Sequence, residues 1–480
     1  MATIGLVNVT PLEIQHRKRR RTAKQARGIG SDAIFAGAAG HNGIGACEYR
    51  ANDVARIELE WQDEPLPGAA NVYGVDAAAM KLRFRDAEHE LRGTIKYFSD
   101  SFGPAHPSVG EAWSEYGSVL RSAGLFEQAR AAYEQALAIF VHEHGEVHRA
   151  NALVKSYLGL TFLYAGDHDS ALELLLASQD IQTTLKAQSS NDYAENLNTL
   201  GVIRVRQGEP QLAVADFRRA LELWQKNQAP VHPDIALAMS NLGTSYALMG
   251  ALDMAESYYR AALDMRRILF CNTGHVALAI GLNNLAMLLR RRGELVKAEP
   301  LMRESLAVRC DVCGSVSPTT ITGLHNMATI LRDNGNLLGA EAVQRDAIVA
   351  CSVLREGEHP DVALTRANLA ETLVAQGRHD EALREASAAL MMLKRTVGAN
   401  HWRVMAANGI KGVALARQGE FATAEPLILG AYEGIRAARG DQDVFTRRAL
   451  DRVVQFYADC GQSGRLREYQ ERRQQLYPNP

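Results

Sequence analysis

Nine glycines set the frame of this chain. They stand at Gly124, Gly166, Gly208, Gly250, Gly293, Gly335, Gly377, Gly419 and Gly461, and seven of the eight steps between them are 42 residues, the other 43. Five residues after each of the first eight comes an alanine: Ala129, Ala171, Ala213, Ala255, Ala298, Ala340, Ala382 and Ala424. Seven residues further on lies a second small residue: Ala136, Ser178, Ala220, Ala262, Ser305, Ala347, Ala389 and Ala431. A register held over so many steps marks a repeat array, in which each unit leaves an apolar face that only its neighbour covers.

The stretch LGTSYALMGALDMAESYYRAA (242–262) shows one unit. It reads as a helix, a turn at Gly250 and a second helix. A residue in that turn must adopt a positive φ, which glycine does without steric cost. The paired small residues lie two turns apart on one face of the second helix, where two helices can then approach closely. Between them stands a bulkier plug, as at Tyr133, Phe217 and Tyr259, and the first helix answers with Leu-Gly or Leu-Ala, as at Leu200-Gly201, Leu242-Gly243, Leu285-Ala286 and Leu369-Ala370. These positions are core.

The pattern W-x2-L-G-x2-Y…A-x3-F…A resembles the tetratricopeptide repeat. Met239-x2-Leu242-Gly243-x2-Tyr246 matches it with Met for Trp, and Trp113-x2-Tyr116-Gly117 keeps the Trp. The 42-residue period, the loops at His106-Pro107, His232-Pro233-Asp234 and His359-Pro360-Asp361, and the helix start Gly281-Leu-Asn-Asn-Leu-Ala286 are similar to the subtype of kinesin light chains and many bacterial signalling proteins. The resemblance implies an all-α fold, a right-handed superhelical α-solenoid of antiparallel helix pairs. It implies a binding scaffold without itself naming a function.

The expected organisation has four parts. Residues 1–75 form a disordered or loosely folded leader, rich in glycine and carrying the basic cluster Arg17 to Arg21. Residues 76–105 form an amino-terminal capping half-repeat. Residues 106–441 hold eight helix pairs. Residues 442–480 form a degenerate repeat that keeps Gly461, has Leu466 where the alanine belongs, and turns polar as a terminal cap must.

Composition narrows the function classes. Fifty-three basic against 55 acidic residues give a net charge of −2, so neither nucleic acid nor a membrane surface is expected as a bulk partner. Six cysteines without a regular framework fit a reducing compartment, and no apolar run reaches the length of a membrane span. The expected location is the cytoplasm, and no membrane insertion is expected.

In a solenoid of this kind the first helix of each pair lines the groove. Two residues before the Gly or Ala of its Leu-Gly/Leu-Ala pair, four consecutive repeats place Asn241, Asn284, Asn326 and Asn368, with Asn198 and Asn283 one residue earlier in their own repeats. An amide both donates and accepts, so such a row can pair with an extended peptide backbone without reading its side chains. In proteins that this chain resembles, asparagines here hold bound peptide. The other reading is a ladder that ties adjacent helices together. Arg290 and Arg332, four residues beyond the marker pair, add planar forks suited to carboxylates and favour an acidic or carboxylate-terminated segment, or else form a solvated charge cluster at helix ends.

Enzymatic chemistry finds little support. The recurring histidines (His106, His148, His232, His275, His359, His401) read as structural loop residues. His142-Glu-His144-Gly-Glu-Val-His148 lacks the HExxH spacing. Cys310-x-x-Cys313 is a lone CxxC whose better account is packing, since a zinc site needs four ligands. No catalytic residue, metal site or cofactor is therefore expected. The expected function is a non-catalytic protein–protein interaction scaffold that takes a partner peptide in its groove. The alternatives are a kinesin-light-chain-like cargo adaptor, against which stands the missing coiled coil, and a regulatory or sensor module of a signalling system.

Overall fold

The computed structural model describes residues 77–477, apart from 271–273, 356–357 and 442. Within this range lie nineteen helices: α1 (Ala77–Phe102), α2 (Pro107–Ser122), α3 (Phe126–His144), α4 (Arg149–Ala165), α5 (His168–Thr184), α6 (Asn191–Arg206), α7 (Pro210–Asn227), α8 (Pro233–Leu248), α9 (Leu252–Leu269), α10 (Val276–Arg291), α11 (Leu295–Cys313), α12 (Pro318–Asp333), α13 (Leu337–Leu354), α14 (Pro360–Ala375), α15 (His379–Thr396), α16 (Trp402–Arg417), α17 (Phe421–Arg439), α18 (Val444–Asp459) and α19 (Ser463–Leu476). No strand occurs among the described residues. The expected leader lies outside them.

Each helix packs on the next in sequence, and the even-numbered helices α2 to α18 also touch one another from repeat to repeat. These first helices form the inner layer of an α-solenoid and the odd-numbered second helices the outer layer. The buried apolar clusters follow the chain: one spans Ile95–Leu158, the next Leu160–Ala340, and the last runs from Leu415 to Tyr469. The core grows along one dimension, as a repeat array requires. At the ends, α1 rests Leu91, Ile95 and Phe98 on the first pair, while α19 buries only Tyr469 and leaves most of its charged residues in solvent.

The turn glycines behave as their spacing implies, with Gly250 at φ 80° and Gly166 at φ 89°. The opposing end of each first helix carries a different device. His106, His148, His232, His275, His359 and His401 are helix N-caps, each Nδ1 accepting from the backbone N–H two residues on, at 3.1–3.3 Å. Where histidine is missing, Ser190, Ser317 and Asp443 take over the cap. The periodic histidines therefore satisfy otherwise orphaned helix donors.

The closest packing lies inside each pair. A Cβ added to Gly117, Gly159, Gly201, Gly243 or Gly412 would stand 2.7–2.9 Å from the plug residue of the partner helix, respectively Tyr133, Leu175, Phe217, Tyr259 and Ile428. Where the first helix carries alanine instead, at Ala286, Ala328 and Ala370, the plug is Met302, Gln344 or Ala386. Aromatic and branched plugs go with glycine, and unbranched or small plugs go with alanine. The second small position has its own logic: Ser178 and Ser305 donate to the carbonyls of Ala152 and Ala279, each at 2.7 Å, which adds a bond across the pair where alanine gives only contact.

Two predictions follow from these contacts. Gly243→Ala should destabilise the protein by about 1–3 kcal/mol through overpacking against Tyr259, read as a lower urea midpoint, and Gly243→Ala combined with Tyr259→Met should recover part of the loss. The second concerns pH. Burial holds the imidazoles of His148, His275, His359 and His401 below their ordinary pKa. A group whose folded pKa is depressed contributes fully above its unfolded value, about 6.5 for histidine, and that contribution drains away as pH falls through the folded value. Stability should therefore drop below about pH 6.5. Replacing His148, His275 and His401 by asparagine, a cap that does not titrate, should flatten the curve in urea titrations across pH; an unchanged slope would refute the assignment.

Candidate peptide-binding groove

The inner layer exists because the first helices sit close enough for their side chains to meet across repeats. Along it the predicted asparagines fall into two bonded sets. Asn241 on α8 donates through Nδ2 to Asn198 Oδ1 on α6 at 2.9 Å. Asn326 on α12 donates to Asn283 Oδ1 on α10 at 2.8 Å, Asn283 donates to Asn284 Oδ1 at 3.4 Å, and Asn284 donates to Ser240 Oγ on α8 at 3.4 Å. A polar seam thus runs from α6 to α12, every amide in it at most 3% exposed. Asn368 is half-buried on α14, and its backbone carbonyl accepts from Gln344 Nε2 at 3.2 Å.

The offset of one residue between Asn283 and Asn284 explains the geometry. Asn283 faces forward to Asn326, while Asn284 faces back to Ser240. One helix thereby serves both neighbours. Amides held by amides in a low-dielectric seam also make a strong register device, since leaving one buried partner unsatisfied costs about 1–3 kcal/mol.

The arginines follow the same inter-repeat rule. Arg290 Nε on α10 lies 2.6 Å from Asp333 Oδ2 at the end of α12, and Arg332 Nη1 on α12 lies 3.1 Å from Glu371 Oε2 on α14. Arg417 on α16 reaches Asp459 on α18 at 3.2 Å. Arg291 donates to the Ala247 carbonyl at the end of α8 at 2.7 Å, a cation placed where the helix dipole welcomes it. Each fork spans one repeat boundary.

One element of the inner layer escaped the sequence reading. Arg452 on α18 binds Glu371 on α14, two repeats away. Its signal was present: Arg452 stands nine residues before Gly461, as Asn241 stands nine before Gly250. On the intervening helix, a Cβ added at Gly409 would stand 3.0 Å from the Ala431 Cβ and in ordinary contact, 3.8 Å, with the Arg452 guanidinium. Around this contact lies a cavity of about 30 Å³ whose lining includes Asn368, Glu371, Trp402, Arg403, Arg448 and Arg452.

The other chemical candidates are used in packing. Cys313 is buried beside Val276 and Ile280, and burial pushes its thiol and that of Cys310 upward in pKa, away from the reactive thiolate. His144 lies against His148 with ring centroids 4.2 Å apart and planes tilted by 38°, and His148 caps α4. Among the described residues, no group of three or more His, Cys, Asp or Glu is arranged to hold a metal ion. No described helix is long and apolar enough to cross a membrane.

With this geometry in place, the chain can be set beside known proteins. Two family profiles described as tetratricopeptide repeat match residues 83–184, 192–268 and 319–395, and residues 278–319, together more than half of the sequence. Protein KINESIN LIGHT CHAIN-RELATED 3 of Arabidopsis thaliana is 24% identical over 220 residues, 44% of this chain and 32% of that protein. Human mitochondrial tetratricopeptide repeat protein 19 is 30% identical over 98 residues, 20% of this chain and 25% of that protein. The chain thus spans about a third or less of the length of these curated relatives. Among solved structures, the apo form of RapI covers 77% of this chain and 97% of its own at 13% identity with a TM-score of 0.57. The apo quorum sensor NprR from B. thuringiensis covers 74% and 99% at 13% identity with a TM-score of 0.53. At such identities these likenesses show the fold alone. The paired helices, the 42-residue register and the matched profiles lead to one conclusion: this chain belongs to the tetratricopeptide repeat family, in the form similar to kinesin light chains.

Proposed function

We propose that this protein is a non-catalytic scaffold that holds an extended or helical segment of a partner protein along its inner layer, with a preference for acidic or carboxylate-bearing segments. The observation that carries this reading is the stacking of the first helices into one inner layer, with the half-buried Asn368, Arg290 and Arg332 along it; the amides of Asn198, Asn241, Asn283, Asn284 and Asn326 are at most 3% exposed and bond from repeat to repeat, so their part is to hold that layer in register. Guanidinium forks beside it supply the counter-charge for carboxylates. The family membership supports an interaction role and brings no reaction with it.

The asparagines and the arginines both tie repeats together, so each binding test is paired with a stability measurement. Asn326→Ala should lower the urea midpoint by an amount equal to about 1–3 kcal/mol through the loss of its bond to Asn283, so loss of binding by that variant alone would be ambiguous. Arg290→Glu with Arg332→Glu inverts the charge in two half-buried pairs, beside Asp333 and Glu371, and should keep the helical circular dichroism while lowering the urea midpoint. In affinity capture from the source lysate followed by crosslink mapping, a partner segment should crosslink to α8–α12 and be lost by the double variant. Crosslinks confined to second helices, or equal retention by both proteins, would move the binding surface elsewhere.

A further inference from the structure

The second helix of each pair needs one covered face. On α13, packed between α12 and α14, that face holds Ala340, Gln344, Ala347 and Cys351, all buried. The opposite face of the same helix is apolar as well. Leu338, Val349 and Val353 are 76%, 63% and 63% exposed, and Ala342 is exposed among them. At 3.6 residues per turn these four share about 60° of the helix surface, turned away from the buried set. Counted from the turn glycine, α7 carries Gln211, Ala215, Glu222 and Lys226 at the same four places, and α9 carries Asp253, Ser257, Asp264 and Ile268. The repeat therefore does not require the stripe on α13, and apolar surface gathered in this way marks an interaction site.

The stripe has a centre of symmetry in its sequence. Arg345 and Asp346 occupy the middle, Ala342 and Val349 flank them, and Leu338 and Val353 stand at the ends. An identical helix laid antiparallel about a two-fold axis through that middle brings Leu338 to Val353, Ala342 to Val349 and Arg345 to Asp346, each contact made twice. Every apolar side chain meets an apolar one, and each charge meets its opposite. The run 338, 342, 345, 349 alternates steps of four and three, the interval that keeps one seam between two helices in contact. Glu341 holds the Arg345 guanidinium at 2.8 Å and leaves that side chain 49% exposed. Asp346 is exposed and has no ion pair or side-chain hydrogen bond among the described residues. The same axis sets α11 opposite its own copy. There Arg303 and Glu304 take the places of Arg345 and Asp346, and Val296, 83% exposed, extends the apolar surface.

We infer that the outer face of α13 is the seat of a symmetric dimer and that its occupant is a second copy of this chain. An isologous contact demands a surface complementary to itself, and the paired order of apolar groups and opposite charges along α13 meets that demand. The contact leaves the inner layer uncovered. A dimer therefore offers the binding surface proposed above twice, and a partner with two segments gains from engaging both.

Sedimentation equilibrium of the full chain over a concentration series should show monomer and dimer in exchange. Val349→Glu, at a side chain already 63% exposed, should weaken the dimer by about tenfold or more and leave the helical circular dichroism of the monomer unchanged. Charge reversals test the register. Arg345→Asp sets carboxylates opposite one another at both central contacts, and Asp346→Arg does the same with guanidinium groups, so each variant alone should lose the dimer. Mixed in equal amounts, the two variants restore both pairs and should dimerise with each other, as should one chain carrying both reversals. A purely structural defect would not be repaired by mixing. Should Arg345→Asp unfold beside Glu341, Leu338→Glu and Val353→Lys replace the pair of reversals, since those positions meet across the same axis. Arg467→Glu on α19 should leave the equilibrium where it is. A chain that stays monomeric at every concentration, a dimer indifferent to Val349→Glu or to the single reversals, or a mixture that stays monomeric would overturn the inference. Capture of a different protein by the α13 face of a monomeric chain would assign the stripe to that protein and remove the dimer.

Discussion

Every distance along this protein is set by one close approach, that of a first-helix backbone to the plug of its partner helix. With glycine at the marker position, Tyr133, Phe217 or Tyr259 lies flat against backbone; with alanine, the plug shrinks to Met302, Gln344 or Ala386. The two positions trade volume, so the helix pair keeps its separation while its side chains change. Interiors packed to crystal density leave no other way to hold a spacing constant over eight units. Once the pair is fixed, the inner-layer side chains of successive repeats are brought within bonding distance, and the amide seam and ion pairs follow.

That dependence orders the energetics. Apolar burial within and between pairs carries the bulk of the stability, and it is generic. The polar contacts are specific. Asn198 meets Asn241, Asn283 meets Asn326, and Arg290 meets Asp333, each about one repeat away in sequence. A slip by one residue would bury unpaired amides at three boundaries together, so the seam fixes register in the way buried polar groups do in other helical assemblies.

Much of the fold was legible because it is periodic. The turn glycines, the small residues and the paired helices could be read from spacing alone, and the loop role of the recurring histidines was visible in their recurrence. The identity of that role was not: only the geometry shows Nδ1 of His232 or His359 accepting from the first turn. The site was half legible. Composition and register put Asn241, Asn284 and Asn326 on the inner helices, but sequence could not tell amides aimed at a ligand from amides aimed at each other, because a rotation of one residue separates the two and Asn283 and Asn284 occupy both. Arg452 was missed because the last repeat was read as a cap, judged by its polar final helix and not by the helix before it. Glu371 was missed because its partner stands 81 residues away, beyond any periodic search.

The contact between Arg452 and Glu371 has a mechanical meaning. A solenoid in which each unit touches only the next behaves as a chain of springs in series, and bending adds up freely along it. A strut that passes over Gly409 joins first and third units directly, which turns a series linkage into a braced triangle. The last three helix pairs should then move as one stiff segment, tied to α12 through the second bond of Glu371, to Arg332, while the units before it flex. A single ion pair that skips one unit has in this way produced a gain in rigidity over three repeats.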